Sequence, residues 1–320
     1  MATRIKGVTL LQELQDGLLK KVDQLALESG YGKSRSGFKI HASRCWPWGP
    51  VDSNRALTLK QTIQLPDNYC TRIAILWDKL WIPNHSSGEI YVYNFDGTRV
   101  NVLQSVVSKP RTAVQISPKE AVVVGQNQLV IVNESGQSQV SLHNHNAYDN
   151  FFDACLPSDG ILYVFGINSN NNQARVMRFS NSGSTWQKKD EIVLQNSVQP
   201  IQYYNRNHHN DKCWYTMVVK DIDIYVSWIL FNRIIRYDLA GNMLKEVGTP
   251  NSALNMRSIW GMTGHTLLIA NCNNNRLDQL DYSGKTTHIA GFASRNPWHA
   301  IYQNERTLWV LTNNGLLKYE

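Results

Sequence analysis

No run of apolar residues in this chain is long enough to cross a bilayer, although 42% of its 320 residues are hydrophobic. A transmembrane helix is therefore excluded, since a span needs about 20 apolar residues in succession. Gln12, Glu13, Gln15 and Asp16 interrupt the amino-terminal stretch, which predicts neither a secretory signal nor a mitochondrial presequence. Cysteine is scarce and odd in number: Cys45, Cys70, Cys155, Cys213 and Cys272, with no pair at metal-ligand spacing. Reduced thiols in a cytoplasmic protein are the expectation, and a secreted form with two disulfides and a spare thiol is the alternative. Charge is sparse too. Of a net +7, residues 1–50 hold +4, from Arg4, Lys6, Lys20, Lys21, Lys33, Arg35, Lys39 and Arg44 against Glu13, Asp16, Asp23 and Glu28. The body of the chain keeps only +3, too little for a purely electrostatic case for nucleic acid.

What the chain does contain is a repeated strand and turn. Asn232 to Gly241 reads Asn-Arg-Ile-Ile-Arg-Tyr-Asp-Leu-Ala-Gly, a half-buried strand running into a tight turn. It is preceded by the β-rich Ile222–Trp228 and followed by Met243–Val247, so three strands of one meander are written out. Related segments end at Gly97, Gly136, Gly183 and Gly284, giving turn-glycine spacings of 39, 47, 58 and 43 residues. Periods near 40 with four strands each are those of propeller blades. The last copy, Asn314–Glu320, lacks the outer strand that follows the turn elsewhere, while residues 56–65 form a spare strand ahead of the first copy. Pairing the two closes a ring of six blades and leaves no exposed edge. The expected fold is all-β, a six-bladed propeller closed by N- and C-terminal strands and preceded by an α-helix.

On these turns the chain resembles the NHL-repeat propellers, in particular the C-terminal propeller of TRIM-NHL proteins, over residues 56–320. Asn133-Glu134 and Ser180-Asn181 depart from the pattern where Asp is expected. The resemblance implies a binding propeller, with RNA among the ligands of the family. It implies no ubiquitin ligase activity, because nothing upstream of Cys45 contains the cysteines of RING or B-box modules. The family also includes a zinc-dependent lyase.

Residues 1–30 are expected to hold an amphipathic helix with Leu11, Leu14, Leu18, Val22 and Leu25 on one stripe and Gly30 beyond its end. That stripe would dock on the propeller or pair with another copy as a short coiled coil, making a homo-oligomer. Residues 31–55 read as a basic, aromatic linker.

In a propeller the loops entering the innermost strands converge on one face, so they are the natural binding surface. Those loops offer Arg72, Lys109, Arg111, Arg257 and Arg295, with Tyr69, Tyr148, Tyr203 and Trp298 beside them, against the single carboxylate Asp149. Cations for phosphates and rings for bases predict a non-catalytic platform for single-stranded RNA. A protein–protein interaction scaffold or assembly subunit is the alternative; a metal-dependent lyase-type propeller enzyme is the second. Against the enzyme, the loop set holds one histidine, His299, too poor an inventory for a metal site or an acid and base pair. His143, His145, His208 and His209 sit among asparagines at predicted loop tips and read as surface residues. No metal, no cofactor and no membrane partner are expected. The strand tryptophans are assigned to packing between blades.

Overall fold

The computed structural model describes residues 57–66, 70–143, 149–168, 170–171, 173–183, 185–195, 215–220, 222–228, 233–247, 256–262, 266–281, 285–292, 296–304 and 306–320. The chain divides into two compact units, Met1–Ser43 and Arg44–Glu320, and every described residue belongs to the second. The expected helix with Leu11, Leu14, Leu18, Val22 and Leu25, and the linker over 31–55, lie outside the described residues.

The strands form six antiparallel four-stranded sheets. The first blade runs β2 (Ala74–Leu76), β3 (Lys79–Pro83), β4 (Ile90–Asn94) and β5 (Arg99–Leu103). The second is β6 (Thr112–Gln115), β7 (Ala121–Val124), β8 (Leu129–Val132) and β9 (Ser138–His143). The third is β10 (Asp149–Cys155), β11 (Leu162–Asn168), β12 (Gln173–Asn181) and β13 (Trp186–Val193). The fourth is β14 (Thr216–Lys220), β15 (Asp223–Trp228), β16 (Arg233–Asp238) and β17 (Met243–Val247), and the fifth is β18 (Met256–Met262), β19 (Thr266–Asn271), β20 (Arg276–Asp281) and β21 (Thr286–Gly291). The sixth assembles β22 (Pro297–Tyr302), β23 (Leu308–Thr312), β24 (Gly315–Tyr319) and, on its outer edge, β1 (Leu59–Ile63).

Burial follows position in the blade. The second strands, such as Ala121–Val124, Leu162–Asn168 and Leu308–Thr312, are buried at every residue, because neighbouring blades cover both of their faces. The outermost strands face solvent, which is why β5 and β13 carry Arg99, Asn101, Lys188, Lys189 and Asp190. Between the third and fourth blades, Phe152, Phe165, Tyr215 and Trp228 interlock edge to face, with centroids 5.0 Å apart for Phe152 and Tyr215 and 5.3 Å for Tyr215 and Trp228. Trp81 and Trp309 are fully buried as well. Packing between blades is therefore the role of these tryptophans.

The repeat turns work through a side-chain acceptor. Asp238 Oδ1 accepts from the Ala240 and Asn242 amides at 2.9 and 2.8 Å, Asp96 Oδ1 from Thr98, and Asp281 Oδ1 from Lys285. Asn133, which departs from the Asp pattern, keeps the same geometry, since its amide oxygen accepts from the Gln137 amide at 3.0 Å.

The ring closes as the sequence indicates. β1 pairs antiparallel with β24, from Leu59 opposite Tyr319 to Ile63 opposite Leu316. Thr58 and Glu320 exchange both backbone hydrogen bonds, at 2.9 and 3.0 Å. Gly315 is required at this seam: its φ is +124°, and a Cβ there would lie 2.4 Å from the Ile63 carbonyl oxygen.

Candidate active site on the propeller axis

The innermost strands bring polar residues out of an otherwise apolar core. In three blades the ladder slips by one residue, between Phe151 and Asp153, Met256 and Ser258, and Pro297 and His299. Bulges of this kind re-aim the side chain that follows them. Asp153, Ser258 and His299 are all buried, as is Thr216 on β14.

These side chains stitch one blade to the next. Thr71 Oγ1 donates to the Arg111 carbonyl at 2.7 Å, and Arg111 Nη1 donates to the Phe151 carbonyl at 2.6 Å. Asp153 Oδ2 accepts from the Met217 amide at 2.6 Å, and Thr216 Oγ1 accepts from the Ile259 amide at 2.9 Å. His299 Nδ1 accepts from the Ile73 amide at 3.4 Å, which joins the last blade to the first. Arg72 then crosses the ring. Its Nη1 pairs with Asp153 Oδ2 at 2.5 Å and its Nη2 donates to the Tyr215 carbonyl at 2.7 Å, so a first-blade side chain is anchored on the third and fourth blades.

Arg72, Asp153 and His299 are 5%, 3% and 4% exposed. In so dry a site their protonation is set by solvation as much as by partners. Burial pushes the Asp153 carboxyl above the usual carboxylate range, against the pull of Arg72 and of the Met217 and Ala154 amides. Burial, with the Arg72 charge nearby, drives the His299 imidazole down to about 3, so it is neutral at physiological pH. Because Nδ1 accepts a hydrogen bond, the ring proton belongs on Nε2. The cluster thus assembles a cation, a basic carboxyl and a neutral imidazole N–H from three blades.

The residues expected on a positive inner-loop face have different fates. Arg72 and Arg111 are buried and turned toward the inside of the protein; the Arg111 guanidinium also lies 4.1 Å over the Phe152 ring. Arg111 directly precedes β6 and Arg72 stands two residues before β2, where the chain turns toward the core. Their assignment as solvent-facing contacts for RNA or a partner is corrected by this burial. Lys109 is half-buried and lines a cleft between the first and second blades. Trp298 is half-buried against the apolar cluster at the seam of the first and last blades. Arg257 sits on β18 with its side chain undescribed, and Tyr148, Tyr203 and Arg295 lie outside the described residues. Asp153 escaped the sequence reading, yet it left a signal: it is the one charge inside Phe151-Phe152-Asp153-Ala154-Cys155.

No three His, Cys, Asp or Glu side chains converge as a metal-ligand set among the described residues. The two axial donors do not make one, because Asp153 already holds the Arg72 guanidinium. Cys70 and Cys272 are buried and Cys155 is half-buried. No helix among the described residues is long and apolar enough to cross a membrane.

The sequence matches no protein-family description and no curated protein. Solved structures do match. Virginiamycin B lyase from Staphylococcus aureus superposes with a TM-score of 0.55 at 12% identity, over 82% of this chain and 99% of that one. Regucalcin, a calcium-binding protein from Agrobacterium tumefaciens, gives 0.56 at 13%, over 83% and 92%. A gluconolactonase from Xanthomonas campestris gives 0.57 at 12%, over 85% and 98%. The likeness shows the fold alone. These neighbours are lyase, lactonase and regucalcin propellers rather than TRIM-NHL propellers, so they support the six-bladed propeller and not the finer family resemblance. The expectation of a non-catalytic protein is corrected by the same finding: this architecture carries enzymes among its neighbours, and it gives no ground for excluding catalysis.

Proposed function

We propose that this propeller is a lyase-type enzyme that eliminates a leaving group from a small carbonyl compound at the axis. The observation that carries the reading is the convergence of Arg72, Asp153 and His299 from three blades, with the carboxyl pushed up and the imidazole pushed down. Groups whose protonation is driven from its ordinary range in one buried cluster are candidates for acid, base and oxyanion roles. Asp153 is the base that takes a proton from the carbon beside the carbonyl. The Arg72 guanidinium and the Nε2–H of His299 hold the enolate oxygen. The electron pair then forms the new double bond as the leaving group departs with its own bonding pair. No step is routed through a metal, for which the described residues supply no ligand set.

The enzyme neighbours support this reading over an RNA platform, and so does the internal use of Arg72 and Arg111. The test is a panel of esters bearing a leaving group β to the carbonyl, incubated with the full chain and read by mass spectrometry for elimination products. Turnover should fall about a hundredfold in His299→Leu, in line with the loss of one oxyanion donor, while the circular dichroism spectrum is retained. No turnover across the panel, or turnover indifferent to His299→Leu, would contradict it.

A further inference from the structure

A cleft of about 660 Å³ opens between the first and second blades, off the axis, and shares no residue with the Arg72, Asp153 and His299 cluster. Its walls include Ser86, Ser105, Ser108 and Ser141 with the Gln128 amide, set beside Val106, Val107 and Val130. Lys109 is its ammonium group, and no carboxylate is among the described residues that line it. That volume falls in the range of small-molecule sites. Hydroxyls and an amide satisfy a ligand that both donates and accepts, and the lone ammonium selects one anionic group. A nucleic acid strand would need several cations in a row, which the cleft does not offer.

The cleft is also built to keep its shape. Ser105 and Lys109 hold left-handed backbone conformations, at φ of +57° and +49°, which non-glycine residues adopt only where the surroundings fix them. Those surroundings are on the second blade: the Gln126 amide donates to the Ser108 carbonyl at 3.1 Å, and Gln128 Oε1 accepts from the Ser108 amide at 3.2 Å. Gly125 permits the contact, since a Cβ there would lie 2.6 Å from the Ser108 oxygen and 2.9 Å from Val107 Cβ. A wall fixed in advance spares a ligand the entropy of ordering it.

We propose that this cleft binds a small hydroxyl-rich molecule carrying one anionic group, a carboxylate or a phosphate, with Lys109 as the anion contact and the serines as hydroxyl contacts. The test is ligand-observed NMR titration of the full chain with glucuronate, glucose 6-phosphate and glucose. At least one of the two anions should bind with a Kd below about 1 mM, and glucose about tenfold more weakly or worse. The preference between glucuronate and glucose 6-phosphate then tells which anion the site takes. Lys109→Met should weaken the anion by about tenfold, and Ser86→Trp, which fills the cleft from an exposed position without changing charge, should abolish binding. No saturable binding up to about 10 mM of any probe, equal binding of glucose, or binding indifferent to both substitutions would overturn the proposal.

Discussion

Lys109 and Arg111 stand two residues apart in one loop and end in opposite environments. Arg111 is buried over the Phe152 ring and hydrogen-bonded to the Phe151 carbonyl, whereas Lys109 lines an open cleft of hydroxyls. The same contrast separates the two candidate sites. On the axis the charges are dry, and their energies depend on each partner being present. In the cleft the one ammonium belongs to a half-buried residue on an open wall. A basic residue in an inner loop is thus not evidence for a basic surface: Arg111, directly before β6, turns inward, while Lys109, two residues ahead of it, lines a cleft.

The widest gap should open with Arg72. Arg72→Met leaves the Asp153 carboxyl buried without its cation, so denaturant unfolding should show a loss of about 3–5 kcal/mol. Next comes acid. The His299 imidazole sits near 3 in the fold and near its ordinary value in the unfolded chain, so the unfolded state binds the extra proton. The stability this residue gives is complete above about pH 6.5 and is lost as the pH falls toward 3, by about 2 kcal/mol at pH 5. Asp153 has the opposite sign, because its raised carboxyl favours the folded state as the pH falls. The wild type must therefore be compared with His299→Gln, in which the imidazole contribution is gone and the acid limb should flatten. In the cleft, Gly125→Ala should cost about 1–3 kcal/mol by forcing the Ser108 carbonyl aside, and should weaken glucuronate or glucose 6-phosphate with it. Smallest of all, Lys109→Met should leave stability within about 0.5 kcal/mol of the wild type. A loss as large as that of Arg72→Met would erase the distinction between the two regions.

The ring was legible in the sequence because its signals are local. Asp96, Asp238 and Asp281 accept hydrogen bonds from amides at most four residues away, and Gly97 and Gly241 follow them within three. The closing strand was legible from what the last copy lacked. The axis was hidden for the converse reason. Arg72 meets Asp153 across the ring and Tyr215 beyond it, and no local pattern of apolar and polar residues encodes a pairing at that separation. His299 could be placed at the inner loops, but its neutrality depends on burial among blades distant in sequence. Asp153 alone was within reach, as a single carboxylate in an apolar inner strand. The enzymatic character of the fold's neighbours is likewise beyond a repeat pattern, which specifies architecture and leaves the chemistry to individual side chains.

A buried ion pair running across the ring, Arg72 with Asp153, holds the axis. A double-mutant cycle on Arg72→Met and Asp153→Leu, read by urea unfolding, tests it most directly. Each single change should be strongly destabilising and the pair together barely worse than either one, giving a coupling energy of at least about 2 kcal/mol. Effects that simply add would mean that Arg72 and Asp153 do not depend on one another, and the account of the axis would fall.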